Sequence, residues 1–254
     1  MLPSPLLLRA CALATIACTS LGSAQGAEVS VAVASNFSAP MQKIAAAFAQ
    51  DTGHQAQLSF GATGKFYAQI ANGAPFAVLL AADAATPEKI ARAGLGDGAT
   101  RFTYAIGQLA LWSRQPGYVD AGGKVLASTD WRHIAIANPR LAPYGAAALQ
   151  TLDKLGLTAQ VQPRIVQGEN IGQTYQFAAS GNAELAFVAL SQVSENGQLR
   201  AGSAWVVPAH MHEAIRQDAI VLQPGAGQAA ASALMDYLKG DKARAIMRAY
   251  GYSF

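Results

Sequence analysis

Apolar runs of strand length alternate along this chain with longer amphipathic segments, a pattern typical of α/β proteins. In the first part of the chain, three such runs predict strands at residues 29–34, 55–60 and 76–81. Each is followed by a segment of helical periodicity, at residues 40–50, 65–71 and 86–93. Pro40 suits the first turn of the first helix, and Gly53 lies just past its end.

The second part of the chain repeats this alternation after a long apolar run at residues 103–112. Further strands are predicted at residues 133–137, 164–167, 184–190, 205–207 and 220–223. Further helices are predicted at residues 146–155, 171–180, 229–239 and 241–250. The long run separates the two strand–helix sets and is a candidate crossover strand between two parts of the molecule.

We therefore predict an α/β fold with two lobes, each a mostly parallel sheet flanked by helices. The first lobe would comprise residues 28–105 and 208–254, and the second lobe residues 106–207. The lobes should move about a hinge near residues 104–108 and 205–215. A cleft between such lobes is a preferred ligand site, because helix N-termini at strand ends point into it.

Residues 1–27 have the features of a secretory signal peptide. A short segment with one positive charge, Arg9, precedes an apolar run at residues 10–21 that is too short to span a bilayer comfortably. Small residues follow, and cleavage is predicted near residues 24–27. Both cysteines, Cys11 and Cys18, fall in this leader, so the exported chain would have neither a disulfide nor a cysteine metal site.

The composition argues against several classes of protein. Hydrophobic residues make up 52% of the chain and charged residues 13%, which is too apolar for a disordered chain. The net charge of +3 comes without clustered lysine or arginine, which argues against a nucleic-acid partner. His210 and His212 have no evident third ligand for a metal ion.

Catalytic motifs are also missing from the sequence. No serine lies in a nucleophile elbow, and no pair of carboxylates stands out for acid–base chemistry. We therefore predict a binding protein rather than an enzyme. The alternative from another class is an enzyme built on a pair of binding lobes, which would need a general base or nucleophile in the cleft.

Four predicted strand-to-helix junctions place small, hydroxyl or amide residues where a helix begins. They lie at residues 35–38, 61–64, 143–145 and 169–172. A helix start leaves about four backbone N–H groups unpaired and carries roughly half a positive charge, so several such ends facing one cleft form an anion site. Neutral donors suit a fully deprotonated oxyanion, which accepts hydrogen bonds only. These residues alone leave the identity of the anion open.

Several stretches resemble the molybdate-binding proteins of bacterial molybdate ABC importers (the ModA family). They are residues 31–37, 58–70, 72–75, 81–83, 138–145, 237–240 and 250–252, and the resemblance runs from about residue 29 to residue 254. It implies a type II-like periplasmic binding protein that holds molybdate or tungstate in the inter-lobe cleft. It also implies a periplasmic location, a membrane permease as partner and a monomer. Sulfate or another small anion is the alternative ligand.

The resemblance also implies which residues hold the oxyanion. Ser35 or Asn36 would donate from the first loop, and Thr63 stands where the family usually has a serine. Tyr144 and Ile171 would contribute backbone N–H groups. Molybdenum would be bound only as the oxyanion, with no protein side chain ligating the metal and no further cofactor.

Besides Asn36 and Thr63, which stand in place of two serines, two further positions depart from the family pattern. Ala189 stands where some members carry a ligand tyrosine, and Ala77 replaces a common acidic residue. Because some members have a tyrosine at the position of Tyr144 instead, we expect its side chain to help enclose the site.

Overall fold

The computed structural model describes residues 26–254. The predicted leader, apart from its last two residues, lies outside this range, as do both cysteines. Within the described range, no helix is both long and apolar enough to cross a membrane.

The first part of the chain forms three strand–helix units and a long fourth strand. These elements are β1 (Glu28–Ala34), α1 (Ser38–Thr52), β2 (Gln55–Gly61), α2 (Thr63–Ala71), β3 (Val78–Leu80), α3 (Ala85–Arg92) and β4 (Gly96–Gly107). In β1, Val31 and Val33 pack into one hydrophobic cluster, whereas Ala32 packs into another on the opposite face of the sheet. Because both faces are covered, this strand appears in the sequence as an uninterrupted apolar run.

The middle of the chain builds a second sheet. Its elements are β5 (Leu109–Ser113), β6 (Ile134–Ala137), α4 (Pro143–Lys154), α5 (Thr158–Val161), β7 (Ile165–Gly168), α6 (Ile171–Ala179), β8 (Leu185–Ala189), α7 (Leu190–Val193), β9 (Ser194–Glu195), β10 (Gln198–Leu199) and β11 (Ser203–Val206). The strand order is β11-β5-β8-β6-β7, and β9 and β10 form a separate small hairpin. Strand β6 is parallel to β7 and β8, whereas β5 is antiparallel to β8 and β11.

The end of the chain then returns to the first sheet with β12 (Ile215–Leu222), α8 (Ala229–Lys239) and α9 (Asp241–Ala249). Strand β12 inserts between β3 and β4, antiparallel to both, and gives the order β2-β1-β3-β12-β4. Two mixed sheets, each flanked by helices, confirm the predicted two-lobed α/β fold. The exact lobe boundaries stay a prediction.

Two chain segments cross between the sheets. The apolar run predicted as one crossover strand is divided at Gln108, because β4 belongs to the first sheet and β5 to the second. The second crossing lies between β11 and β12. The C-terminal tail joins the first crossing, where the backbone N–H of Ile106 donates to the carbonyl of Ser253 at 2.7 Å. These segments coincide with the predicted hinge, whose motion stays a prediction.

The strand predicted at residues 220–223 begins five residues earlier, at Ile215. The polar residues Gln217 and Asp218 interrupt the apolar pattern there, yet both side chains are buried. The Asp218 carboxylate accepts hydrogen bonds from Thr103 at 2.7 Å and from Arg101 at 3.2 Å. Buried polar groups of this kind persist in a strand only because partners elsewhere in the fold satisfy them.

Candidate anion-binding site

The five predicted site residues surround one cavity between the two lobes. The first lobe contributes the segments that follow β1, β2 and β3, and the second lobe contributes the starts of α4 and α6. The cavity is small, with a volume of about 10 Å³. Pockets for drug-sized ligands typically have roughly 300–1,000 Å³, so only a compact ligand fits between the lobes here.

Strand register brings these segments together. In the first sheet, Ala34 of β1 pairs with Gly61 of β2, so the two strands end side by side. In the second sheet, Ala137 of β6 pairs with Gly168 of β7 in the same way. Since the carboxyl ends of parallel strands meet at one edge of a sheet, the helices that follow start next to one another and face the cleft.

Three of the four helix starts at the cavity have alanine at the N-cap. Ala34 precedes the single 3₁₀ turn that opens α1, Ala62 precedes α2 and Ala142 precedes α4. Alanine has no side-chain oxygen to accept from the first-turn N–H groups, and it is a poor N-cap by about 1 kcal/mol relative to Ser, Thr, Asp or Asn. These helix starts therefore present N–H groups that their own caps do not satisfy.

Ser35 and Thr63 each add a hydroxyl donor. Both residues are buried, and both line the cavity. The Thr63 Oγ1 atom accepts a hydrogen bond from the backbone N–H of Ala82 at 3.0 Å. A hydroxyl has one hydrogen to donate, and this acceptor role leaves the Thr63 hydrogen available to a ligand.

The side chain of Asn36 is already bonded to protein. Its Nδ2 donates to Gln217 Oε1 at 2.8 Å and to the Tyr252 hydroxyl at 3.0 Å, which uses both amide hydrogens. The Asn36 side chain is therefore a support for the first loop, and its backbone N–H is the group it can offer a ligand. The hydroxyl of Ser35 is the side-chain donor of this loop.

Tyr144 and Ile171 lie in the first turns of their helices, so their N–H groups have no intrahelical partner. Pro143 occupies the first position of α4, where its missing N–H costs nothing. The next residue, Gly145, lets the helix start approach β6 closely, because a Cβ there would lie 2.1 Å from the carbonyl oxygen of Ala137. Burial raises the pKa of the Tyr144 hydroxyl well above its usual value, so it stays protonated.

Asn170 also lines the cavity, although it is not among the five residues predicted to hold the oxyanion. Its Oδ1 accepts from the backbone N–H of Gln173 at 3.0 Å and so caps α6. With Oδ1 held in this way, Nδ2 remains as a donor. The sequence did contain a signal for Asn170, because this residue belongs to the predicted strand-to-helix junction at residues 169–172.

The position of Ala189 shows how the start of α6 is held in place. The backbone N–H of Ala189 donates to Gln192 Oε1 at 2.9 Å, and Gln192 Nε2 donates to the carbonyl of Ile171 at 3.0 Å. Gln192 thus connects the end of β8 to the first residue of α6. The side chain of Tyr144 packs in the hydrophobic core of the second lobe.

No charged side chain lines the cavity in the described part of the chain. At the mouth of the cleft, Lys65 of the first lobe forms an ion pair with Glu169 of the second lobe at 2.6 Å, with both side chains exposed. Asp83, near the end of β3, accepts a hydrogen bond from the backbone N–H of Thr86 in the first turn of α3 at 2.6 Å. In residues 26–254 no cluster of three His, Cys, Asp or Glu residues could hold a metal ion.

A two-lobed α/β fold that encloses a small, uncharged, donor-rich cavity between its lobes defines a solute-binding protein. The sequence matches the model for a bacterial extracellular solute-binding protein over residues 29–253. It is 57% identical over 229 residues to the molybdate-binding protein ModA of Azotobacter vinelandii, covering 90% of this chain and 91% of the relative. It is 47% identical over 250 residues to ModA of Rhodobacter capsulatus, covering 98% and 97% of the two chains.

A solved structure of an Azotobacter vinelandii periplasmic molybdate-binding protein superimposes with a TM-score of 0.86 at 45% identity, covering 89% of this chain and 99% of that one. The chain belongs to the ModA family of bacterial solute-binding proteins. This confirms the resemblance seen in the sequence motifs and makes the chain a binding protein rather than an enzyme.

Proposed function

We propose that this protein captures molybdate or tungstate in the inter-lobe cavity and delivers it to the membrane permease of an ABC importer. The observation that carries the proposal is the convergence of three alanine-capped helix starts on one small cavity. The names of the two close relatives, which are molybdate-binding proteins, support the same ligand.

The donor set favours a fully deprotonated tetrahedral oxyanion. Backbone N–H groups and the hydroxyls of Ser35 and Thr63 all donate, and a bare dianion only accepts. A protonated phosphate would need a protein acceptor for its own hydrogen. Because no charged side chain lines the cavity, binding avoids desolvating a fixed cation, which costs several kcal/mol.

Selection among oxyanions is expected to follow size. Molybdate and tungstate have longer metal–oxygen bonds than the sulfur–oxygen bonds of sulfate. A cavity whose donors are spaced for the larger ions leaves some of them out of reach of sulfate, and unpaired buried donors weaken binding. Sulfate therefore stands as the weaker alternative ligand.

The location and the partner follow from the leader and the family. Residues 1–27 read as a signal peptide, which supports export to the periplasm. A carrier that closes around its ligand gives the permease a means to distinguish loaded from empty protein, since ligand shifts the population towards the closed form. We infer that the carrier acts as a monomer.

Titration calorimetry of the purified, anion-free protein tests the proposal. We expect molybdate and tungstate to bind with one-to-one stoichiometry, and sulfate and phosphate to bind much more weakly. Native mass spectrometry of protein purified from periplasm should show one bound oxyanion of molybdenum or tungsten. Equal affinity for sulfate and molybdate would overturn the assignment of the ligand.

A further inference from the structure

Gln217 joins the two halves of the candidate site, and we propose that it couples anion occupancy to lobe closure. It acts as a positioning residue, because it does not line the cavity but holds two residues that do. This inference rests on the proposed function for the identity of the anion, whereas the link between the lobes stands on the contacts themselves.

Gln217 contacts the first half of the site through its oxygen. It lies on β12, and its side chain is 0% exposed. Its Oε1 accepts from Asn36 Nδ2 at 2.8 Å and lies 3.0 Å from the hydroxyl of Tyr104. Both partners belong to the first lobe, so Gln217 Oε1 holds the loop that carries Ser35 and the N–H of Asn36.

The amide nitrogen of the same side chain reaches into the second lobe. Gln217 Nε2 donates to the hydroxyl of Tyr144 at 3.2 Å, and Tyr144 is buried in the first turn of α4. Asn36 and Tyr144 each offer a backbone N–H to the cavity and a side chain to Gln217. The amide group of Gln217 therefore links a residue from each half of the donor set.

This network is packed directly against the first crossing between the lobes. A Cβ on Gly107, the last residue of β4, would lie 2.1 Å from the Tyr144 hydroxyl and 2.5 Å from Gln217 Nε2. Any opening that moves α4 away from β12 must break the hydrogen bond between Gln217 and Tyr144. A buried donor that loses its partner is costly, so this bond favours the closed arrangement.

An isosteric substitution isolates the link between the lobes. Tyr144→Phe removes only the hydroxyl and keeps the backbone N–H of residue 144. Tyr104→Phe is the matched control, because it removes a hydroxyl from the same Gln217 oxygen but entirely within the first lobe. Gln217→Met removes both ends of the bridge with little change in volume.

The measurements are the rate of molybdate dissociation by stopped-flow tryptophan fluorescence and the open–closed distribution by small-angle scattering. Tyr144→Phe and Gln217→Met should speed dissociation about three- to tenfold, the range for one lost hydrogen bond, with the association rate unchanged. Tyr104→Phe should leave dissociation within about twofold of the original protein while lowering the melting temperature. The variant carrying both Tyr144→Phe and Gln217→Met should dissociate no faster than Gln217→Met alone.

Unchanged dissociation in Tyr144→Phe, or an equal effect of Tyr104→Phe, would overturn the coupling role. If Gln217→Met does not fold, Tyr144→Phe against Tyr104→Phe still decides the question. If the original protein binds no molybdate, the proposed function fails separately. The scattering of anion-free Tyr144→Phe then still tests the bridge, since it should shift towards the open form.

Discussion

The backbone N–H of Gly64 donates to the carbonyl oxygen of Leu141 at 2.9 Å, which joins the start of α2 in the first lobe to the loop before α4 in the second. A Cβ on Gly64 would lie 3.0 Å from Leu141 Cα and 3.2 Å from its carbonyl oxygen. A side chain at residue 64 would therefore press on the backbone of Leu141, which would have to move away by a few tenths of an ångström.

Gly64→Ala is accordingly expected to push the lobes apart and weaken molybdate binding by about 1–3 kcal/mol, the usual range for overpacking. Calorimetric affinity is the measurement. Gly122→Ala is the matched control, since a Cβ there meets its nearest neighbour at 3.4 Å and the residue does not line the cavity. Wild-type affinity in Gly64→Ala would show that the two lobes need not meet at this point.

Thr63→Ala should weaken anion binding by about 1–3 kcal/mol, the range for a lost hydrogen bond to a charged group. The substitution also leaves the backbone N–H of Ala82 without its acceptor. Thr63→Ser keeps the hydroxyl and should bind nearly as well as the original protein. If alanine and serine at this position bind equally, the hydroxyl does not contact the anion.

The carboxyl group of Asp83 should destabilise the fold as pH rises, whereas most carboxylates that are hydrogen-bonded in a folded protein stabilise it. Burial raises the pKa of this carboxyl above its usual 3.8, so the folded state holds the proton more tightly than the unfolded chain does. Relative to Asp83→Asn, which keeps an acceptor for the Thr86 N–H, the original protein should lose stability as pH rises above 3.8 through the folded-state pKa.

The test is to measure the melting temperatures of the original protein and of Asp83→Asn between pH 4 and pH 8, at intervals of about one pH unit. The difference in favour of Asp83→Asn should grow towards neutral pH. The opposite trend would mean that the attraction of a charged cap to the helix dipole outweighs the burial of the carboxylate.

The ion pair between Lys65 and Glu169 should matter little to affinity. Both side chains are exposed, and surface pairs contribute about 0–1 kcal/mol. Lys65→Met and Glu169→Gln should each change the molybdate dissociation constant by less than about fivefold, measured at low and at physiological salt. A larger loss confined to Lys65→Met would mean that its charge acts on the anion itself.

The five predicted residues line one cavity because the segments that carry them come after strands that end at the cleft edge. The polar junctions after β1 and β2 stand out against apolar runs, and parallel strands bring such junctions together whatever the details of packing. Which of the two side chains, that of Ser35 or that of Asn36, is available to a ligand could not be predicted in this way. It depends on Gln217 and Tyr252, which lie 181 and 216 residues further along the chain.

The first half of β12 could not be predicted for the same physical reason. Gln217 and Asp218 make the segment look like a loop, and only contacts across the fold show that their side chains are satisfied within the core. The local pattern of hydrophobic residues contains no information about a hydrogen-bond partner that is remote in sequence. One of these two polar residues, Gln217, connects the candidate site to the crossing between the lobes.

The alanines at positions 34, 62 and 142 give the anion a second role besides that of cargo. On the proposed function, a bound molybdate supplies the oxygen atoms that serine or aspartate would supply at ordinary helix starts, and it does so for several helices together. Without the anion, the first-turn N–H groups of these helices lack the acceptors that would complete their hydrogen bonding. The carrier's resistance to heat should rise with the logarithm of free molybdate once the concentration exceeds the dissociation constant.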